Sequence, residues 1–338
     1  MQNTTIPRTR LVNFDIAKAI CIILVVIGHY IPDNAPEWYV MNREFIYSFH
    51  MPLFMFASGF IYIAFKKEES YGHFLMKKVK RLMIPYLVTS VLIVTIKLLT
   101  EGSAYVENPV TVLSYIKVLY SPEAGYFLWF IWALWWMFVI VPILKTKRSR
   151  LIGFVIALVL HYSPITFTQI FCLEQMRQMM VFFMLGVVAY DLKKMYISYA
   201  KKLAIPIVLL FAGSEYVYLS NNFAGGGITL IRNFVPYFGI ATVMYVSTWL
   251  SYNKTLVVSK ALCWMAPSTY IIYLFHTTFE GFTKAIVHKI PLLTNPDNNL
   301  WFVVGAIIVI IVGVLGPILL HKYVLAHFKV TRVLFGLK

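Results

Sequence analysis

The sequence predicts an all-α, polytopic integral membrane protein with about ten transmembrane helices and both termini in the cytoplasm. The first observation is composition, because 60% of the 338 residues are hydrophobic and only 13% are charged. A soluble globular chain does not need so much apolar surface. The second observation is a series of apolar runs of membrane-spanning length. The third is the uneven distribution of basic residues between successive loops.

The apolar runs divide the chain into ten predicted spans, of which the fifth and sixth are short. A hydrocarbon core of about 30 Å requires about 20 helical residues. The spans are predicted at 12–31, 45–65, 82–99, 126–144, 150–163, 178–192, 203–220, 229–250, 264–286 and 300–321. Most connecting loops are short, and no internal repeat is evident. The sequence therefore predicts a single transmembrane domain over residues 1–338, without a soluble appended domain.

Basic residues are concentrated in alternate loops. Of the 30 Lys and Arg residues, 22 fall in the loops of one side, beginning with Arg8 and Arg10, and five fall in the loops of the other side. The smaller set consists of Arg43, Lys117, Arg177, Arg232 and Lys289. Because loops rich in Lys and Arg stay in the cytoplasm, the larger set places both termini there. Topology therefore explains most of the net charge of +16, which in a soluble protein would suggest nucleic acid.

Several common site types are excluded by the motif content. Cys21, Cys172 and Cys263 lie within or beside apolar runs and lack metal-binding or redox spacing. The sequence contains no G-x-S-x-G, P-loop, H-E-x-x-H or G-x-G-x-x-G motif. We therefore predict no metal site, and we expect the cysteines to serve in packing.

The first span carries three ionisable residues, Asp15, Lys18 and His29. Eleven helical residues return the chain to within about 20° of its starting direction, about 16 Å further along the axis. Lys18 and His29 therefore share a face, and Asp15 leans the same way. Such residues are costly in hydrocarbon, so this stripe predicts the wall of a cavity in which His29 takes a proton from a hydroxyl. The alternative is an interfacial histidine that only hydrogen-bonds a neighbour.

Two other predicted spans each contain a histidine among apolar residues. His50 stands two residues before Pro52, either as a site residue or as the cap of a carbonyl that the proline frees. His276, Glu280 and Lys284 follow one another at intervals of four, which places them on one helix face. The His276–Glu280 pair is interpreted either as structural or as part of the cavity of the first span.

A basic run opens the third span on the predicted cytoplasmic side. It contains Lys77, Lys78, Lys80 and Arg81. Arg grips phosphate oxygens in a bidentate manner and Lys acts as a point charge, so the run is a candidate phosphate site. The alternative is ordinary flanking charge that contacts lipid headgroups.

At these residues the chain resembles the acyltransferase-3 family of bacterial membrane acyltransferases, over nearly its whole length. Members have about ten helices and an Arg/Lys-x10-His motif, which Lys18 to His29 fits. Their second-span signature is similar to FHMPLFMFASGF at 49–60, and their Arg-x-x-Arg element before Ile-Pro-Tyr is matched at 78–86. The late Tyr-x-x-Tyr-Leu-x-His pattern is matched at 270–276. Lys18 and Lys78 stand where the family prefers Arg, which keeps the charge and loses the guanidinium fork.

The resemblance implies transfer of an acyl group, most often acetyl, from acyl-CoA to a hydroxyl of a cell-surface carbohydrate or its lipid-linked precursor. It implies a bacterial cytoplasmic membrane location and no permanently bound cofactor, with acyl-CoA as co-substrate. The basic run would hold the phosphates of coenzyme A, and Asp15 would keep Lys18 charged. His29 would act as general base or carry the acyl group transiently. The acceptor would contact His50, His276 and Glu280.

A proton-coupled secondary transporter or glycolipid exporter is the alternative function. Ten spans with intramembrane charges and a histidine also suit a carrier. The absence of an inverted repeat and of paired broken helices in the sequence disfavours this alternative. Release of free CoA from labelled acetyl-CoA separates the two hypotheses, because a carrier should release none.

Overall fold

The computed structural model of the chain describes residues 10–32, 35–101, 109–220, 226–294 and 299–337. Within these ranges the side chains of 194–201, 218–219, 226–231, 291 and 294 are not described. Arg8, which the charge pattern included, lies outside the described residues. The described chain is built from helices without a β-sheet, which confirms the predicted all-α class.

Fourteen α-helices follow one another along the described ranges. They are α1 Val12–His29, α2 Glu37–Ala64, α3 Tyr71–Lys78, α4 Ile84–Thr100, α5 Ser114–Lys117, α6 Trp129–Ile140, α7 Lys147–Tyr162, α8 Leu173–Asp191, α9 Lys193–Ser220, α10 Gly226–Tyr252, α11 Val257–Met265, α12 Thr269–Val287, α13 Asn299–Leu320 and α14 Lys329–Leu334. Two π-helical turns, Val79–Met83 and His321–Leu325, follow α3 and α13 directly. Short 3-10 turns precede α6, α8 and α12.

Eight helical segments in the described part of the chain are long and apolar enough to cross a membrane. They are Val12–His29, Glu37–Ala64, Tyr71–Thr100, Tyr126–Ile143, Ile170–Asp191, Arg232–Tyr252, Val257–Val287 and Asn299–Leu325. The chain is thus a polytopic membrane protein. The predicted fifth and seventh spans fall on α7, which has 16 residues, and on α9, which opens with lysines. The count of ten spans and the orientation of the termini stay predictions.

Two predicted span boundaries are wrong because hydropathy marks apolar residues rather than helical ones. Helix α2 begins at Glu37, eight residues before the predicted span, and its polar first turns continue the helix beyond the apolar run. Arg43, which the charge pattern placed in an outer loop, therefore lies inside α2. Helix α8 likewise begins at Leu173, so Arg177 also lies within a helix.

Helices α2 and α8 cross at two glycines whose positions are reciprocal. A Cβ added to Gly59 would lie 2.0 Å from the carbonyl oxygen of Phe183, and one added to Gly186 would lie 2.0 Å from that of Phe56. Gly59 of α2 thus contacts the backbone of α8 one turn before Gly186, and Gly186 contacts the backbone of α2 one turn before Gly59. Small residues allow this close approach of helices in membranes, where packing rather than hydrophobicity drives association. The crossing fixes one side of α2.

We predict that Gly186→Ala lowers the stability of the protein. The added methyl group would meet backbone atoms, which cannot rotate away, and overpacking of this kind costs about 1–3 kcal/mol. Thermal unfolding of the purified protein in detergent measures the effect as a lower midpoint. Gly72→Ala in α3 is the control, because a Cβ there meets nothing within 4 Å. An unchanged midpoint for Gly186→Ala would show that the two helices do not approach so closely.

Candidate active site

Three histidines from three helices gather around the end of α1. The rings of His29 and His276 have their centroids 5.0 Å apart. The Tyr47 ring lies 6.0 Å from His29 and 4.8 Å from His50, so it connects the first and second histidines. Phe127 covers the cluster at 6.0 Å from His29 and 5.2 Å from His276. The fold therefore brings together residues that the sequence places on separate spans.

The last turn of α1 is anchored by two side chains of α2. The Tyr39 hydroxyl donates to the carbonyl of Ile27 at 2.8 Å, and Arg43 Nε donates to the carbonyl of Gly28 at 2.8 Å. These bonds satisfy carbonyls that have no partner inside their own helix, and a cation suits a helix C-terminus. Gly28 also admits the Tyr47 ring, since an added Cβ would lie 2.6 Å from it.

Arg43 and Tyr47 are candidate site residues that sequence analysis missed. The Arg43 guanidinium carbon lies 4.4 Å from the centroid of the Tyr47 ring, which fixes the guanidinium in a cation–π contact. Together with His50, they follow at intervals of four and three residues on one face of α2. The sequence contains this helical spacing, but the assignment of Arg43 to a loop prevented its recognition.

Hydrogen bonds to backbone carbonyls fix the tautomers of two of the histidines. His50 Nδ1 lies 2.7 Å from the carbonyl oxygen of Ile46. His276 Nδ1 lies 3.0 Å from that of Ile272 and 2.9 Å from that of Tyr273. A carbonyl only accepts, so in each neutral ring Nδ1 must carry the proton and Nε2 must be the acceptor. Both side chains are buried, with His50 1% and His276 0% exposed.

The interpretation of His50 as a cap for the kink at Pro52 is wrong. Proline lacks an N–H, so Pro52 leaves the carbonyl four residues earlier, at Ser48, without its helical donor. His50 instead contacts the carbonyl of Ile46, and α2 continues as one helix through the proline. The His50 carbonyl accepts from the Cys21 thiol at 2.9 Å, which joins α2 to α1.

Tyr273, the second tyrosine of the late motif, positions Phe127 against the histidines. Its hydroxyl donates to the Phe127 carbonyl at 2.6 Å. This bond ties α12 to the 3-10 turn that opens α6. Phe127 is a third residue that sequence analysis missed, since its turn carries no polar motif.

Glu280 lies one turn after His276, at the contact of α12 with α13 and α1. Its side chain is buried, with 3% exposed. A Cβ added to Gly313 of α13 would lie 2.9 Å from Glu280 Cγ and 3.0 Å from Val26 Cγ1. The missing side chain at Gly313 thus provides the space in which Glu280 is accommodated.

Asp15 and Lys18 lie apart from the histidines, near the start of α1. Lys18 Nζ is 3.1 Å from Asp15 Oδ1, as the spacing predicts. Arg10 Nε contacts the other carboxylate oxygen of Asp15 at 2.5 Å, which the sequence did not suggest. Eleven residues of helix separate Lys18 from His29, or about 16 Å along the axis. The two groups therefore mark opposite ends of one helix.

The basic run is partly engaged with other side chains. Lys77 forms an ion pair with Glu69. The hydrogen bond that Lys77 donates within this pair lowers the pKa of the Glu69 carboxyl. Lys78 Nζ lies 3.5 Å from the centroid of the Phe138 ring, in a cation–π contact. Two of the four predicted phosphate ligands thus have partners within the protein.

The other two basic residues, Lys80 and Arg81, are exposed within the π-helical turn Val79–Met83. Such turns are frequent at functional sites. The C-terminal segment packs against this turn. Gly336 has a φ of +63°, and its ideal Cβ would lie 3.0 Å from Arg81 Cα. These contacts involve the backbone of Arg81 and leave its side chain exposed.

The fold and this cluster define a multi-pass membrane protein with an ionisable site inside the helix bundle. Among the described residues, no group of three or more His, Cys, Asp or Glu side chains could hold a metal ion. The family described as an acyltransferase domain matches residues 11–320. The chain therefore belongs to the acyltransferase-3 family, which confirms the resemblance seen in its motifs.

Two curated relatives are similar to about half of the chain. The Nodulation protein NolL of Mesorhizobium japonicum is 32% identical over 161 residues, which are 46% of this chain and 42% of the relative. The Nodulation protein NolL of Sinorhizobium fredii is 31% identical over 164 residues, 46% of this chain and 43% of the relative. The chain thus matches less than half of the length of these relatives. No solved structure matches it significantly.

We predict that Gly313→Ala destabilises the protein by displacing Glu280. The new methyl group would contact both Glu280 and Val26, so a cost of about 1–3 kcal/mol is expected. The unfolding midpoint in detergent should fall. Gly281→Ala is the matched control, because it adds a methyl group next to Glu280 in sequence but into open space. Equal midpoints for the two variants would contradict the placement of Glu280 against Gly313.

Proposed function

We propose that this protein is a membrane O-acyltransferase of the bacterial cytoplasmic membrane. It moves an acyl group, acetyl in the simplest case, from acyl-CoA to a hydroxyl of a cell-surface carbohydrate or its lipid-linked precursor. The observation that carries the proposal is the position of the half-buried His29 beside the buried His276, within a chain that belongs to an acyltransferase family. A basic run at the start of another transmembrane helix supports a polyanionic donor.

His29 acts as the general base in this proposal. A ring nitrogen of His29 removes the proton of the acceptor hydroxyl while the hydroxyl oxygen attacks the thioester carbonyl. A C–O bond forms, the C–S bond breaks, and the proton passes to the departing sulfur of CoA. The products are an ester and the free thiol. His29 returns to its neutral form, so no permanently bound cofactor is required.

The donor enters this scheme from the end of the bundle that carries the basic run. Lys80 and Arg81 are exposed and suit the phosphates of coenzyme A, with Lys77 and Lys78 beside them. Lys18, held by Asp15, lies on the helix that leads to His29. The acyl arm of the donor would extend along this helix from the cations to the imidazole.

The acceptor lies at the other end of α1 in this scheme. His50 and Glu280 are buried polar groups on helices that pack against α1, and they suit the hydroxyls of a carbohydrate. Aromatic rings surround them, of which Tyr47 and Phe127 are closest to His29. Polar groups placed on apolar walls are typical of small-molecule sites.

We predict that His29→Ala abolishes acyl transfer while the protein stays folded. Loss of a general base lowers the rate by roughly 10²–10⁴-fold. The assay follows release of free CoA from labelled acetyl-CoA in membranes of cells that produce the protein. Mass spectrometry of the surface glycans of those cells detects one acyl increment. His288→Ala is the control, because His288 is exposed beyond the end of α12.

Gel filtration and membrane yield establish that both histidine variants fold. Wild-type acylation by a folded His29→Ala protein would overturn the role of His29. A wild-type protein that releases no CoA and adds no acyl group to any glycan would overturn the proposed function. That result would favour the carrier hypothesis.

We predict that the double change Lys80→Ala and Arg81→Ala raises KM for acyl-CoA and leaves kcat nearly unchanged. Charged hydrogen bonds contribute about 1.5–3 kcal/mol each, so the loss of two predicts a rise of at least roughly 100-fold. Steady-state kinetics with acetyl-CoA as the varied substrate measure it. Lys147→Ala with Arg148→Ala is the matched control, because these exposed basic residues open a different helix. Similar KM values in the two double variants would place the donor phosphates elsewhere.

A further inference from the structure

The Nε2 nitrogen of His276 is a buried hydrogen-bond acceptor with an unexplained role. The side chain is 0% exposed, and its Nδ1 proton is committed to the carbonyls of Ile272 and Tyr273. In the neutral ring Nε2 is therefore an acceptor. Among the described residues, no protein group hydrogen-bonds to it. A buried polar atom of this kind is costly and calls for a partner.

The neighbouring rings leave His29 as the donor for this nitrogen. Phe127, 5.2 Å from His276 between centroids, has no polar hydrogen on its ring. Tyr273, at 6.4 Å, already donates its hydroxyl to the Phe127 carbonyl. His29, at 5.0 Å, is the nearest of the three and carries a ring N–H in either tautomer.

The separation of the two imidazoles suits a direct bond. Two such rings joined by an N–H···N hydrogen bond of ordinary length have centroids about 5 Å apart, which is the distance observed. Their planes are inclined by 60°. Because Nε2 has no partner in the part of the chain that the structure describes, the bond requires the half-buried His29 ring to turn its N–H toward this nitrogen.

The other groups around His29 cannot take this place. Two other nitrogen-bearing side chains lie near the end of α1, namely Arg43 and His50. Arg43 is a donor only, and its Nε is held by the Gly28 carbonyl. The His50 ring reaches His29 through the intervening Tyr47 ring. The His276 ring is closer to His29 than that of Tyr47, and its Nε2 is an acceptor without a partner in the described ranges, so His276 is the best-placed acceptor for the proposed base.

We propose that His276 is the positioning residue of His29, a role that rests on the proposed acyltransferase function. Its Nε2 accepts the ring N–H of His29 and so fixes the tautomer of that ring, with the remaining lone pair directed at the acceptor hydroxyl. The same bond stabilises the His29 imidazolium after proton removal. In many active sites a nucleophile is activated by a base, and a third group orients the base. Here the nucleophile is the acceptor hydroxyl, the base is His29 and the orienting group is the neutral His276.

Two variants of His276 separate this role from a structural one. His276→Asn keeps an amide donor near the Nδ1 position, facing the carbonyls of Ile272 and Tyr273, and removes the acceptor at Nε2. His276→Gln places an amide oxygen near the Nε2 position. We expect kcat to fall roughly 10- to 100-fold in the Asn variant, with KM for acetyl-CoA unchanged, and the Gln variant to recover at least part of that loss.

The kinetics are run on wild type, His29→Ala and both His276 variants. Loss of activity in His29→Ala with wild-type kcat in His276→Asn would overturn the positioning role and leave the proposed function intact. Equal losses in the Asn and Gln variants would show that His276 acts through folding alone. A wild-type protein without acyl transfer would overturn both proposals.

A second measurement tests the hydrogen bond without using activity. The protein is labelled with ¹⁵N-histidine, and the His29 signals are assigned by their loss in His29→Ala. We expect a single neutral tautomer of His29 in the wild-type protein and a mixture in His276→Asn. Identical His29 signals in the two proteins would overturn the proposal.

Discussion

The arrangement of the site depends on the way the last turn of α1 is held against α2. Inside a bilayer each backbone carbonyl without a donor costs several kcal/mol, so a helix end that is buried in a membrane bundle needs partners. Tyr39 and Arg43 supply them to Ile27 and Gly28, the two residues before His29. The direction in which His29 leaves the helix is therefore set by donors from another helix. An imidazole on a frayed helix end would have no fixed geometry toward its neighbours.

Helix α2 can act as this support because it is itself fixed from its other side. The glycine crossing brings its backbone into contact with α8, so its position does not depend on flexible side chains. Its opposite face carries Arg43, Tyr47 and His50 toward α1. Helix α12 completes the cluster, since His276 is locked to its own backbone and Tyr273 ties it to the start of α6. Rigid elements with side chains locked by packing and hydrogen bonds are what a precise site requires.

Sequence predicted the helical segments and the residues with costly side chains, because both depend on local composition. Asp15, Lys18, His29 and His276 stand out in apolar runs, and helical spacing alone pairs Asp15 with Lys18. His29 and His276 are in contact although they are 247 residues apart in the sequence. Helical spacing does not predict such a contact, and only the family resemblance suggested it. Phe127 and Gly313 were not predictable, since the first acts through ring contacts and the second through the absence of a side chain. The boundaries failed for a related reason, because hydropathy does not register the polar turns that continue a helix.

The Asp15–Lys18 pair and His29 lie at opposite ends of α1, so in the proposed reaction the two substrates reach the site from opposite ends of this helix. Asp15 holds Lys18 and Arg10 at the start of α1. The chain returns to this end after α1 and α2 have crossed the bundle, and the basic run lies there, at the end of α3 and in the turn before α4. His29, His50 and His276 occupy the far end. A polyanionic donor bound at the start would therefore present only its acyl arm to the imidazole. A carbohydrate acceptor would approach from the other end, so neither substrate would have to cross the hydrocarbon as a whole, and the charged parts of both would stay near water.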